Sequence, residues 1–196
     1  MKNFTKALSI IAIAGAMIGT HAQAADSYKI DPTHAWVNFS INHVGWSHAQ
    51  GMFHKIAGDI AFDKADVTKS SVKVQIDAAS IDTNFADRNK DLMSPDFLNT
   101  AEFPTITFES TKVEKTGENV GKITGNMTII GVTKPVTLDA KWSTAEKPFP
   151  WAPKVMRTGF SATGIVIPAD FGMAKVTEYG LGPEMNLTIE IEAEKQ

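Results

Sequence analysis

The chain has 196 residues, no cysteine, and 19 basic against 22 acidic residues, a formal net charge of −3. Those figures exclude disulfides, thiolate nucleophiles and cysteine-bound metal, and they lack the basic footprint of a nucleic-acid binder. The first 24 residues predict a secretory signal: Lys2 and Lys6, a mostly apolar run from Ala7 to Ile18, then Ala22-Gln23-Ala24, the small-x-small pattern before a cleavage site. That run is too short to span a bilayer. The expected product is a protein cut near Ala24/Ala25 and free outside the cytoplasm, with no stable membrane insertion. Residues 25–196 then carry 17 basic against 22 acidic residues and suit one domain held by packing and hydrogen bonds.

From there on, alternation with period two recurs, the pattern of strands with one buried face. A short strand is expected at "SYKID", followed by Val37, Phe39 and Ile41 in "AWVNFSIN", while "HVGWSHAQG" reads as a loop. Ile56, Ile60 and Phe62 mark the next strand; Val72, Val74 and Ile76 the one after; Ile106 and Phe108 a fourth. Ile123, Met127 and Ile129 follow, then Val136, Leu138, Ala140 and Trp142, then "GFSATGIVI", then Leu187, Ile189 and Ile191. "DKADVTKS", "KTGEN" and "IGVTKP" are connectors of hairpin length, and only "STAEKPFPWAPK", 143–154, looks like a long Pro-rich loop. Short links imply antiparallel neighbours. Eight such strands predict an all-β fold, a sandwich or a closed up-and-down barrel, and the barrel is favoured because it leaves no exposed edge. Barrels of this size are filled by side chains or hold one small ligand. The small residues Gly58, Ala140, Ala162 and Gly164 on the inner faces signal either a cavity or relief of curvature.

One segment breaks the strand rhythm. In "TNFADRNKDLMSPDFLNTAEFP", residues 83–104, Asn84 is the expected N-cap, and Phe85, Arg88 and Leu92 share a helical face. Ser94 and Pro95 start a second short helix. The pair is expected to cap one end of the barrel with Phe85, Leu92, Phe97 and Leu98 turned down. Arg88, a cation on that face, either pairs with a carboxylate such as Asp82 or Asp31 or meets the head of an anionic or polar ligand.

Chemistry-bearing motifs are scarce. There is no G-x-S-x-G and no Walker A, and "GLGPEM" stops after two glycines. The expectation is a protein that is not an enzyme, with no catalytic residues. His34, His43, His48 and His54 fall within 21 residues, but their spacing does not place them on one strand face, so rim positions rather than a metal site are expected. Trp46 and Trp151, in loops, are the tryptophans expected to border an opening.

Four stretches taken together resemble the YceI-like family of bacterial periplasmic proteins. They are "HAWVNFSINHVGWSHAQGMFHKIAGDIAFD", "IDTNFADRNKDLMSPDFLNTAEFPTITFES", "ITGNMTIIGVTKPVTL" and "DFGM". The resemblance covers residues 25–196 and implies a hollow lipocalin-like barrel with a helical cap, holding a long isoprenoid or another long-chain amphiphile and needing no cofactor. Two positions depart from the pattern: Asp91 stands where relatives often have histidine, and Ile56 where an aromatic is common. On this reading Phe39, Ile56, Phe85, Leu92 and Phe108 bury the chain of the ligand, and its polar end lies near Arg88, His34 or Asn84. The resemblance also implies an alternative cargo, isoprenoid quinone, with transient contact to a membrane or a b-type cytochrome. A further alternative is an enzyme acting on a lipid head group.

Overall fold

The computed structural model describes residues 25–196; the expected signal and its cleavage site at Ala24 lie outside the described residues. The elements run β1 (Asp26–His43), β2 (Ser47–Phe53), β3 (Ile56–Phe62), β4 (Ser71–Asp77), β5 (Ile81–Asp82), α1 (Ala86–Met93), β6 (Thr105–Lys115), β7 (Val120–Ile129), β8 (Val132–Trp142), β9 (Lys147–Phe149), β10 (Ala152–Val166), α2 (Lys175–Glu178) and β11 (Leu181–Lys195). The strands follow the order β11-β10-β8-β7-β6-β4-β3-β1, and β11 pairs back onto β1. The result is a closed antiparallel barrel, lipocalin-like in form.

Eight staves make the wall because two of them are bent. β1 pairs first with β3 (Tyr28 opposite Ile60) and then with β2 (Phe39 opposite Gly51), so β2 and β3 act as one stave broken at His54-Lys55. Likewise β4 meets β3 and β5 meets β2. The short strand expected at "SYKID" is the first half of the 18-residue β1. The supposed loop "HVGWSHAQG" holds a strand, β2, that alternation missed because its inner face carries Ala49 and Gly51 before reaching Phe53. The expected connector "IGVTKP" is shorter than it looked: only Ile130 and Gly131 turn, both at positive φ, and the strand resumes at Val132. Pro135 is tolerated there because β10 joins β8 only from Leu138 onward, leaving the proline without a partner on that side.

Antiparallel order sorts the connections into two ends. One end gathers the β1–β2 turn, residues 83–104, the β7–β8 turn and residues 167–180, and so carries both α-helices. The other gathers residues 63–70, 116–119 and 143–151 and the outer ends of β1 and β11. There Lys195 bonds Asp26 at 2.8 Å, Lys64 reaches Asp26 and Glu146, and Tyr28 Oη donates to Glu146 at 3.2 Å, fastening the 143–151 loop to the barrel seam.

The core is the inner face: Tyr28, Ile30, Val37, Phe39 and Ile41 from β1 alternate with exposed or half-exposed neighbours except where the buried Asp31 follows Ile30, and the other staves repeat the pattern. Phe62 meets Phe160 and Trp142 edge-on at 5.4 and 5.9 Å between centroids, closing the wall near the seam end.

Candidate ligand-binding site

The barrel is not filled. Two chambers lie inside it, one of about 130 Å³ toward the seam end and one of about 100 Å³ under the helical end. Either volume is several times what one water needs, yet a water also needs polar partners. The walls are almost wholly side chains such as Ile60, Phe108, Ile123 and Ile189 in the first chamber and Phe53, Ile106, Ile129 and Val166 in the second. Such a space suits hydrocarbon.

The small residues divide into two kinds. Ala140 and Ala162 face each other across β8 and β10 and line the seam-end chamber, so they open space. Gly58 and Gly164 do the opposite: an added Cβ would collide with the Lys73 carbonyl in one case and with Leu138 Cδ2, 2.5 Å away, in the other. Those two glycines allow close packing.

Of the sequence-predicted wall residues, Phe39 and Leu92 line the helical-end chamber and Phe108 the seam-end one. Ile56 is 2 % exposed but lines neither chamber; it packs opposite Ile76 on β4. Phe85 is a correction. It is 57 % exposed, because the helix starts after it and its own backbone is extended (φ −151°). Asn84 is not the N-cap either. Its N–H donates to Asp82 Oδ1 at 2.8 Å in a bend with φ +59°, which delays the helix by one residue. The cap over the chamber is instead Leu92, Phe97 and the buried Leu98, joined by Pro168, Met173 and Val176 from the 167–180 connector. The connector's role was readable only in part, from Pro168 at the start of its first turn and Gly172 just past it.

Arg88 is the second correction. It is exposed and pairs with neither Asp82 nor Asp31. Its Nε donates to Thr83 Oγ1 at 2.8 Å and its Nη2 to the Thr83 carbonyl at 2.5 Å, with the guanidinium 5.9 Å from the Phe85 ring. Asp82 is occupied by the Asn84 N–H, the Asn89 amide and His54 Nε2 (3.1 Å), which hold its carboxyl down at about 2. Asp31 is buried and serves Arg157 instead, through Nη1 at 2.7 Å.

Arg88 and Asn84 flank an outer groove of about 780 Å³ along the edge of β2, shared with His43, His48, His54 and Asp82. Phe39 belongs to the wall of this groove and to that of the helical-end chamber, its ring lying against the bare backbone of Gly51. Phe39 is thus the residue that the apolar interior and the polar outer groove have in common. His34 lies apart from both: its Nδ1–H donates to Asp31 at 2.8 Å and its ring meets Trp36 and Phe149 edge-on. Among the described residues no three histidine or carboxylate side chains are grouped to hold a metal ion, and no helix is long and apolar enough to cross a membrane. Trp46 and Trp151, 82 and 78 % exposed, stand at opposite ends of the barrel.

A closed antiparallel barrel around an apolar hollow defines a lipocalin-like architecture. The chain belongs to the YceI-like family, whose domain matches residues 28–193. Protein YceI of Escherichia coli O157:H7 is 41 % identical over 196 residues, covering 97 % of this chain and 98 % of its own. Among solved structures, BcnA of Burkholderia cenocepacia superposes with a TM-score of 0.74 at 20 % identity, over 83 % of this chain and 98 % of its own. A polyisoprenoid binding domain from Saccharophagus degradans, implicated in plant cell wall breakdown, gives 0.65 at 15 % identity, over 86 % and 98 %.

Proposed function

We propose that the protein is a non-catalytic carrier that is exported to the periplasm and takes the chain of a long amphiphile, an isoprenoid in the first instance, into the barrel. The observation that carries this is the pair of apolar chambers arranged end to end, whose walls are almost wholly apolar apart from Ser70, Ser71, Lys141 and Ser161 in the seam-end one. Each buried methylene is worth about 0.8 kcal/mol, so a chain filling both chambers binds tightly through burial alone. The polyisoprenoid named for the Saccharophagus neighbour is a ligand of the same shape and polarity. A polar head has no place inside. It rests in the outer groove beside Arg88 and Asn84, reached past Phe39.

The test is organic extraction and mass spectrometry of protein purified from a native periplasm. A copurifying long-chain lipid near one per protein is expected, and ultraviolet absorption of the extract separates a quinone from a simple polyprenol. Protein that carries no lipid and takes up none from added prenol micelles overturns the reading, as does turnover of the added lipid.

A further inference from the structure

We infer that Val37, Ile76, Met127 and Leu187 form a waist across the barrel that makes the protein select long, flexible chains over compact ring systems, with Met127 as the movable member. This rests on the carrier reading and adds to it the shape of the cargo.

These four side chains are the ones common to the walls of both chambers. They come from β1, β4, β7 and β11, so they reach the axis from opposite sides of the barrel, β1 and β11 at the seam and β4 and β7 across from it. Each is only 6 to 9 % exposed. The ring therefore sits at the junction of the two hollows.

The four are not equally mobile. Val37 and Ile76 are β-branched and stiff at χ1, and Leu187 is branched one carbon further out. Met127 alone is unbranched, with three rotatable bonds and a soft thioether that repacks at low cost. Its neighbour across the sheet, Phe108, cannot share that freedom: the ring lies against Gly125, where a Cβ would stand 2.5 Å from Cζ. A chain that grows beyond one chamber thus passes by displacing the Met127 side chain while the backbone stays still. A fused ring as wide as a chamber meets three stiff residues and one soft one, and stops.

The experiment is a displacement titration, with a bound apolar fluorophore, of a homologous series of straight-chain fatty alcohols running from chains that fit one chamber to chains that need both. A sterol is the compact comparison. In the wild type, affinity should rise roughly fourfold per methylene while one chamber fills, level off where the chain meets the waist, and rise again beyond it. Met127→Ala should remove the plateau and admit the sterol. Met127→Phe should hold every longer alcohol at the affinity of the longest that fits one chamber. Met127→Leu keeps the volume and the fold and should leave short chains unchanged while slowing uptake of long ones. Identical length profiles in wild type and all three variants overturn the waist while leaving the carrier reading standing. Failure of every alcohol to displace the fluorophore from wild type overturns both.

Discussion

Asp31 is a buried carboxylate that shares the cation Arg157 with Glu192 and Glu194, and its setting has a readable pH signature. Burial pushes its carboxyl up, but the Thr33 hydroxyl and N–H, the His34 ring and Arg157 together outweigh burial and hold it at about 2. A carboxyl depressed from the usual 3.8 contributes stability that is full above about pH 4 and lost as pH falls toward 2. Thermal melts across that window should show the loss in the wild type. In Asp31→Asn the slope should flatten, with neutral-pH stability lower by about 1.5 to 3 kcal/mol for the charge-assisted bonds removed. Arg88→Met is predicted to behave differently. Its guanidinium bonds only to Thr83 and lies in the open, so the melting temperature should barely move. Affinity for an anionic amphiphile should fall about tenfold or more, and that for an uncharged alcohol should not, since a charged hydrogen bond is worth about 1.5 to 3 kcal/mol; equal loss for both ligands would remove Arg88 from head-group recognition. Gly125→Ala should cost about 1 to 3 kcal/mol of stability, because the new methyl meets the Phe108 ring and the Glu109 carbonyl, 2.6 Å away, and backbone cannot step aside.

Of the two α-helices, α2 at least buries Val176, and α1 is the more lightly held. Its first residue follows Phe85, which makes no capping bond, and none of its residues is fully buried; Leu92 and Met93 are half-buried against the core. Elements with few buried contacts open locally at low free energy. Amide exchange should therefore run orders of magnitude faster at Asn89 to Asp91 than at Phe39 or Leu187, which sit in paired staves; equal protection would show that the helical end is as rigid as the wall. The same comparison explains what the sequence made legible. Alternating apolar residues marked every long stave, because a half-buried strand must show period two. β2 escaped because its inner positions carry the small Ala49 and Gly51, and Gly51 is required by the Phe39 ring that lies on it, not by its own apolarity. Phe39, Leu92 and Phe108 were found as wall residues by the same alternation and helical spacing. Phe85 was misplaced because the Asp82–Asn84 bend starts the helix one residue later and leaves it in extended backbone outside, and Arg88 because its guanidinium turns back to the Thr83 hydroxyl and carbonyl. Helix starts set by a neighbour's side chain leave no periodic trace.

At the scale of the molecule, the barrel is closed by its first and last staves: Tyr28 stands opposite Lys195 and Ile41 opposite Met185. Most of the other pairings link elements close in the chain, whereas this one joins elements at the two ends of the described residues and is the most extensive in the barrel. Loop closure over so long a stretch costs entropy before it returns any contact, so folding should be slow for a domain of this size. A chain shortened before Leu181 keeps nearly all the other ladders but leaves β1 and β10 as open edges, an invitation to pair with another copy. Such a truncation should be recovered as aggregates or domain-swapped dimers by size-exclusion chromatography, and monomeric, cooperatively melting material would show that the wall can stand open. The seam thus acts as a clock on biogenesis: until β11 has emerged, an incomplete chain has no closed hollow and remains unable to lock into its final shape.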